Sequence, residues 1–546
     1  SDPNDLIGKP IVHASGYKQV TGEAIYCDDI PRINGELYLA LILTSRSHAK
    51  ILKIDPSKAL KMEGVVKFYS AKDIPENRKW VGAIVHDEEV FISSEATSQG
   101  QPIGAIVAVD QATAKAAAKL VQVEYADIEP VIVTVEDAVA ANSFFDSPMK
   151  LQHGDVDKSF AESDHVIEGE MRLGGQEHFY LETNAVLVVP KETDEIEIFS
   201  CTQDPCQLQK FTAQVLGITS NRVNVRVKRL GGGFGGKENK PRLMALPAAI
   251  AAHDLQRPVR CMLDRDEDML ITGGRHPFLC KYKVGFNKDG LIKGAKIELF
   301  NNGGYSRDFT PEVMERSIHH VVNAYRFPAV DITGWCCRTN LPSNTSFRAF
   351  GGPQGMIVAE NIIWDISNYL GVEKTKIAEM NLVKNGHVMH YNQKLVHCTV
   401  ERCWQQCLLQ SDYDKRKREV IEFNKKNRYR KRGITVVPTM FGIGYTPAFM
   451  NQAGALVHIY VDGSVLITHA GTEMGQGLHT KMIQVASRAL KVHPDKIHIS
   501  ETGTDKVPNT ISTSASVSSD HNGMAVLNAC NTIMERMADI IAEDPE

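Results

Sequence analysis

The sequence has no excess of positive charge. Its 61 Lys and Arg stand against 66 Asp and Glu, for a formal net charge of -5, which argues against a dedicated nucleic-acid binder with a basic surface. Bilayer-length apolar runs are also missing: the longest, residues 243–252, contains Pro247 and falls short of the roughly 20 residues a spanning helix needs. No membrane association is expected. The opening residues Ser1-Asp2-Pro3-Asn4-Asp5 are polar and show no apolar signal-peptide core. The 11 cysteines form neither a CxxC pair nor a zinc-type spacing; Cys336 and Cys337 are adjacent, and Cys403 and Cys407 have helical spacing. Buried free thiols in a reducing compartment account for them, so a cytoplasmic location is expected, with the peroxisome as the alternative.

What remains is an ordinary globular composition. Over 546 residues, 43% are hydrophobic and 23% charged, enough for large cores and a prior of about three to four domains. Because residue 1 is not Met, the chain is expected to be a piece of something longer. Residues up to about Asn142 read as mixed α/β, with a strand over 105–109, a helix over 112–121 and a strand over 131–135 in a βαβ-like unit. Beyond Gln152 the pattern is β-rich, and Asp289-Gly290 and Asp462-Gly463 predict hairpin turns. The stretch 375–433 reads as helical and polar. Its basic runs at 415–418 and 428–432 are interleaved with acids and apolar residues, as on a solvated helix face.

Two glycine-rich segments follow alternating strands. Leu230-Gly231-Gly232-Gly233-Phe234-Gly235-Gly236-Lys237-Glu238 follows Val223, Val225 and Val227. Its glycines allow a bulky ligand close to the backbone and expose amides to an anion. Glu238 stands where a P-loop needs Ser or Thr, and Pro241 and Pro247 crowd the helix that a dinucleotide fingerprint requires. The second segment, Gly471-Thr472-Glu473-Met474-Gly475-Gln476-Gly477, opens a helix and offers amides to a phosphate. A hydroxyl-rich run, 510–519, precedes a helix expected from near Asn522. Arg348-Ala349-Phe350-Gly351-Gly352-Pro353-Gln354 joins a guanidinium to an aromatic ring. The recurring strand, glycine loop and helix suggest two related halves closing on one ligand.

Together these segments resemble the molybdenum-binding portion of the xanthine dehydrogenase/oxidase family. The resemblance is carried by Tyr26-Cys27-Asp28-Asp29-Ile30-Pro31, Gln176-Glu177-His178-Phe179-Tyr180-Leu181-Glu182, residues 231–238, Cys261-Met262-Leu263-Asp264-Arg265 and Gly274-Arg275-His276-Pro277-Phe278, with 348–354 and 473–477 in the same order. It implies an α+β, mixed α/β fold with four parts: a hammerhead-type α/β domain over 1–142, a first molybdenum-cofactor-binding domain over 150–390, a helical connector over 391–433 and a related, incomplete second domain over 434–546. It also implies hydroxylation of a heterocycle with oxygen from water, taking hypoxanthine to xanthine and xanthine to urate. Aldehyde oxidation and a non-catalytic cofactor-binding fragment are the alternatives. The implied cofactor is molybdopterin with molybdenum, and 2Fe-2S clusters and FAD are expected on regions outside this chain. The implied partners are a purine, those iron–sulfur and FAD domains, and a second copy in a homodimer.

By the same resemblance, no side chain ligates the metal, and Gln203, Phe234, Arg348 and Ala515 form its surroundings. Gly235, Met474, Gly475, Gln476, Thr513, Ser514, Ser516, Val517 and Ser518 complete the cofactor contacts. Glu238 and Arg316 would grip the purine, with Arg316 stabilising negative charge on it; Phe350 and Tyr445 would sandwich the ring and Thr446 would donate a hydrogen bond. Tyr445, Ala349 and Ser514 depart from the family's usual Phe, Gly and Ala. The family's general base lies in a Gly-Glu-Pro-Pro segment that this chain lacks, so the chain alone is expected to bind cofactor without turning over. Glu312 stands where a small residue is usual. Four residues before Arg316, it is expected to pair with that arginine and compete with substrate.

Overall fold

Uninterrupted apolar runs form the innermost strands. Pro102–Ala108 and Ala185–Pro190 are buried almost throughout, as strands covered on both faces are, whereas Val223–Val227 alternates buried and half-buried residues. In this computed structural model residues 5–543 are described. The expectations about the first four residues and about Asp544, Pro545 and Glu546 lie outside the described residues.

An eight-stranded mixed sheet runs in the order Thr502–Gly503, Val223–Val227, Ile196–Ser200, Ala185–Pro190, Val259–Met262, Leu37–Leu43, Pro102–Ala108, Val65–Ser70. Three strands from the first 142 residues complete a sheet begun by later ones. Leu37–Leu43 lies parallel to Val259–Met262, and buried Arg260 bonds buried Glu36 at 2.7 Å across that junction. Helices Pro205–Leu216 and Arg242–Leu255 cover this sheet and share its core. A five-stranded sheet, ordered His165–Leu173, Phe278–Phe286, Ile292–Asn302, Val330–Cys337, Met149–His153, is packed by helices Thr310–His320 and Gly352–Leu370. The third core belongs to Ala455–Ile459, Val465–His469 and Ile497–Ile499 under helices Leu478–Leu490 and Ser518–Arg536.

Both Asp-Gly turns form as the sequence predicts, with Gly290 at φ 98° and Gly463 at φ 77°, in the left-handed region where glycine carries no Cβ penalty. The polar 375–433 stretch holds the helices Lys374–Asn381, Val400–Gln410 and Tyr413–Lys426. Three expectations are corrected. After helix Gln111–Ala118 the chain pairs Gln122–Asp127 with Ala49–Asp55 in a different sheet, and 131–134 forms no strand. Pro130 has no N–H to give a ladder, Ile132 donates its own to the Asn340 side chain at 2.9 Å, and Thr134 caps a short helix, Val135–Ala140. The helix Arg242–Leu255 runs straight through Pro247, since burial of every residue from Arg242 to Ala252 outweighs one lost hydrogen bond. Seven of the cysteines are buried thiols, but Cys403 and Cys407 lie exposed on a polar helix.

Glu88 ties the first segment to the rest. Its carboxylate meets Arg242 at 2.6 Å and accepts from the Tyr305 hydroxyl at 3.0 Å and the Ser306 hydroxyl at 2.9 Å, all four residues being buried or nearly so. Removing one partner of a buried pair leaves the other charge uncompensated. Glu88→Ala is expected to lower unfolding free energy by about 3–5 kcal/mol in urea titration; a loss below about 1 kcal/mol would show that the junction is held elsewhere.

Candidate cofactor and substrate cleft

The glycine loop after Val223–Val227 is shaped by a carboxylate behind it. Glu182 accepts from the Gly231 amide at 2.7 Å and from the fully buried Lys237 ammonium at 2.9 Å. Gly232, Phe234 and Gly235 have φ of 94°, 56° and 97°, and the Phe234 side chain remains 41% exposed. Close approach explains two of the glycines. A Cβ at Gly235 would lie 2.6 Å from the Ser346 carbonyl oxygen, and one at Gly233 would lie 2.6 Å from Gln203 Oε1. His178 backs the loop, contacting the Ser346 carbonyl at 2.9 Å and stacking on Phe347; burial pulls its pKa down to about 4, so the ring stays neutral.

A buried carboxylate shapes the second loop. Glu473 accepts from the Gly475 amide at 2.9 Å and from those of Gly477 and His479 at 3.0 Å, which caps helix Leu478–Leu490. Gln476 braces the same turn, accepting from the Met474 amide at 2.7 Å and donating to the Thr472 carbonyl at 3.0 Å. Gly475, at φ 100°, faces open space. In the third loop Ala515 and Ser516 are left-handed, at φ 53° and 59°, and lead into a helix that starts at Ser518, four residues earlier than expected. Ala349 and Phe350 are left-handed as well, at φ 70° and 47°. Five non-glycine residues in this costly conformation on three loops mark a shape imposed by the surroundings, as happens at ligand clamps.

Gln203 joins these loops. Its side-chain oxygen accepts from the amides of Gly235 at 2.9 Å and Lys237 at 3.4 Å, and its amide nitrogen donates to the Thr513 carbonyl at 3.0 Å. Its backbone exchanges two more bonds, donating to the Lys237 carbonyl at 2.8 Å and accepting from the Thr513 amide at 2.9 Å. Arg348 is anchored by its own amide on the Phe234 carbonyl at 2.9 Å and keeps an exposed side chain.

Glu238 is buried at the centre. Oε1 accepts from the Ser512 hydroxyl at 2.6 Å and from Ser514 at 3.0 Å, while Oε2 accepts from Ser346 at 2.7 Å. Burial raises its pKa, although the three hydroxyls favour the charged form. Asp204, which caps helix Pro205–Leu216, is pushed up to about 7, chiefly by burial; the Gln207 amide opposes the shift and the charge of Glu238 adds to it. Tyr445 and Ser514, both departures from the family pattern, meet each other through their hydroxyls. Phe350 packs edge-on against Phe309 at 5.9 Å. Arg316 spends both terminal nitrogens on the carbonyls of Gly442 and Gly444, each at 2.6 Å, just before Tyr445 and the exposed Thr446. The expected Glu312–Arg316 pair does not form. Glu312 turns instead to Arg307 at 3.2 Å, in the turn before its helix.

Glu182, Ser346 and Ser512 were not singled out as site residues by their positions in the sequence. Their contacts reach across 49, 108 and 274 residues, beyond any local spacing rule. The arrangement fits a bulky group: glycines let the loops pack closely on Ser346 and Gln203, Gly475 faces open space, and the exposed Arg348 guanidinium can meet an anion.

The comparisons with known proteins agree with that geometry. Residues 135–382 and 406–546 each match the molybdopterin cofactor-binding domain, and residues 21–129 match the a/b hammerhead domain of aldehyde oxidase and xanthine dehydrogenase. Xanthine dehydrogenase of Calliphora vicina is 54% identical over 542 residues, covering 99% of this chain and 40% of that protein. Xanthine dehydrogenase/oxidase of Gallus gallus is 53% identical over 537 residues, covering 98% of the chain and 39% of that protein. Two solved structures share the fold. Quinoline 2-oxidoreductase from Pseudomonas putida 86 matches at TM-score 0.86 and 20% identity, over 96% of this chain and 70% of that one. CO dehydrogenase from Oligotropha carboxidovorans matches at TM-score 0.87 and 20% identity, over 98% and 72%. The class is thus a pair of molybdopterin cofactor-binding domains behind a hammerhead domain. The chain belongs to the xanthine dehydrogenase/oxidase family, as its molybdenum-cofactor-binding portion, and spans about 40% of the length of the curated relatives it matches.

Asp204 gives the cleft a measurable pH signature. Its folded pKa, near 7, lies above the ordinary 3.8, so the folded state holds a proton that the unfolded state releases between those values. The residue therefore costs stability as pH rises through 7. Asn keeps the helix-capping acceptor and cannot ionise. Asp204→Asn is expected to stabilise the protein by about 4 kcal/mol more at pH 8 than at pH 4 in thermal unfolding; a pH-independent difference would contradict this assignment.

Proposed function

We propose that this chain is the molybdenum-cofactor and substrate-binding part of a purine hydroxylase that converts hypoxanthine to xanthine and xanthine to urate. The observation that carries the reading is Glu238, a buried carboxylate held by three hydroxyls at the meeting point of the glycine loops. A buried acceptor suits the N–H edge of a heterocycle and would be left unsatisfied by a simple aldehyde, which disfavours the aldehyde oxidase alternative.

The bound molybdenum cofactor supplies the two-electron oxidation with oxygen from water. The chain's own residues bind and orient. The 474–477 and 513–518 turns, with Arg348, would hold the pterin and its phosphate; Gln203, Phe234, Gly235 and Ala515 would line the space beside the metal. Phe350 and Tyr445 flank the heterocycle and Thr446 donates to it. Arg316 fixes the segment that carries Tyr445 and Thr446, and its charge offsets negative charge developing on the ring. Iron–sulfur clusters and FAD on other parts of the full-length protein take the electrons, and the assembly is a cytoplasmic homodimer. Among the described residues no helix is long and apolar enough to cross a membrane.

Full-length protein should contain molybdenum and a releasable pterin and should form urate from xanthine. Glu238→Gln should lower kcat/KM for xanthine at least about tenfold with metal content unchanged. Oxidation of aromatic aldehydes without purine turnover would overturn the reading.

A further inference from the structure

Glu238 has about four lone-pair positions to offer, and the protein fills three of them. Ser512 and Ser514 take Oε1, and Ser346 takes one position on Oε2. A single acceptor position on Oε2 is left for a ligand. Whether the Ser514 position stays filled depends on where that hydroxyl sends its only proton, for Ser514 also lies 2.7 Å from Ser512 Oγ and against the Tyr445 hydroxyl. If Tyr445 donates to Ser514, Ser514 is left to donate to Glu238. If Tyr445 turns its proton to the Ser512 carbonyl, 3.0 Å away, Ser514 can donate to the phenol oxygen and desert the carboxylate.

We propose that Tyr445 and Ser514 are positioning residues acting in series on Glu238. The chain Tyr445 to Ser514 to Glu238 holds the carboxylate with one open acceptor position and so selects heterocycles that present one N–H or O–H donor at that edge. Hydrogen-bonded chains strengthen one another, so either hydroxyl's loss should undo the same arrangement. This deepens the purine-hydroxylase reading and rests on it.

The test uses purified full-length enzyme and its Tyr445→Phe, Ser514→Ala and double variants at matched molybdenum content. Steady-state turnover of xanthine is measured beside equilibrium binding of urate, which carries no oxidisable C–H. Each single change is expected to raise KM and the urate Kd about tenfold, with kcat within about twofold. The double variant should be no worse than either single one, as links of one chain are not additive. Unchanged KM and Kd, independent additive losses, or a fall confined to kcat would each overturn the inference. A wild-type enzyme that does not oxidise purines would overturn the functional reading, and this inference with it; an active wild type with unaltered variants would overturn the inference alone.

Discussion

One primary amide decides how the two large parts of this chain face each other. Gln203 lies between strand Ile196–Ser200 and the helix Pro205–Leu216. It grips the glycine loop through two amides and the hydroxyl-rich loop through the Thr513 carbonyl. Its carbonyl accepts and its NH2 donates, so a planar side chain fixes both loops in distance and in rotation. The edge pairing of Thr502–Gly503 with Val223–Val227 supports the same junction from below. Every other feature of the cleft, from the left-handed Ala515 to the burial of Glu238, presupposes that junction.

Three glutamates, Glu182 half-buried and Glu238 and Glu473 buried, divide the remaining work by their partners. Glu182 faces a lysine and a loop amide, so it is a charged strut inside the protein. Glu473 faces three amides at a helix start, with the His13 ring beside it at 3.5 Å, and fixes a turn. Glu238 faces hydroxyls, and its pKa is raised. Glu182 and Glu473 are tied to the loops they shape; Glu238, held by hydroxyls alone, keeps an acceptor position for a ligand.

Features whose cause is local could be read from the sequence. Asp-Gly turns, glycine loops after alternating strands and the hydroxyl run all sit where spacing put them, because the φ demand or hydrogen bond concerned lies within a few residues. Long-range demands could not be read that way. The i,i+4 rule pointed Glu312 at Arg316, but Arg316 is claimed by carbonyls 126 and 128 residues away, and Arg307 takes the acid. A propensity for strand at 131–135 lost to Pro130 and to a side-chain acceptor on distant Asn340. Ser346 carries no local mark at all, and Ser512 is marked only as one hydroxyl of a run; their bonds to Glu238 exist only once the loops have met. The departures Tyr445 and Ser514 were visible separately; that they touch was not.

The account stands on the amide junction shaping the cofactor cleft, and the molybdenum-to-protein ratio of full-length Gln203→Ala tests it most directly. Freed loops should cut that ratio at least about tenfold, since the Gly235 and Lys237 amides and the Thr513 carbonyl lose their common side-chain partner. A variant loaded as fully as the wild type would show that the cleft forms without the bracket and would contradict the account.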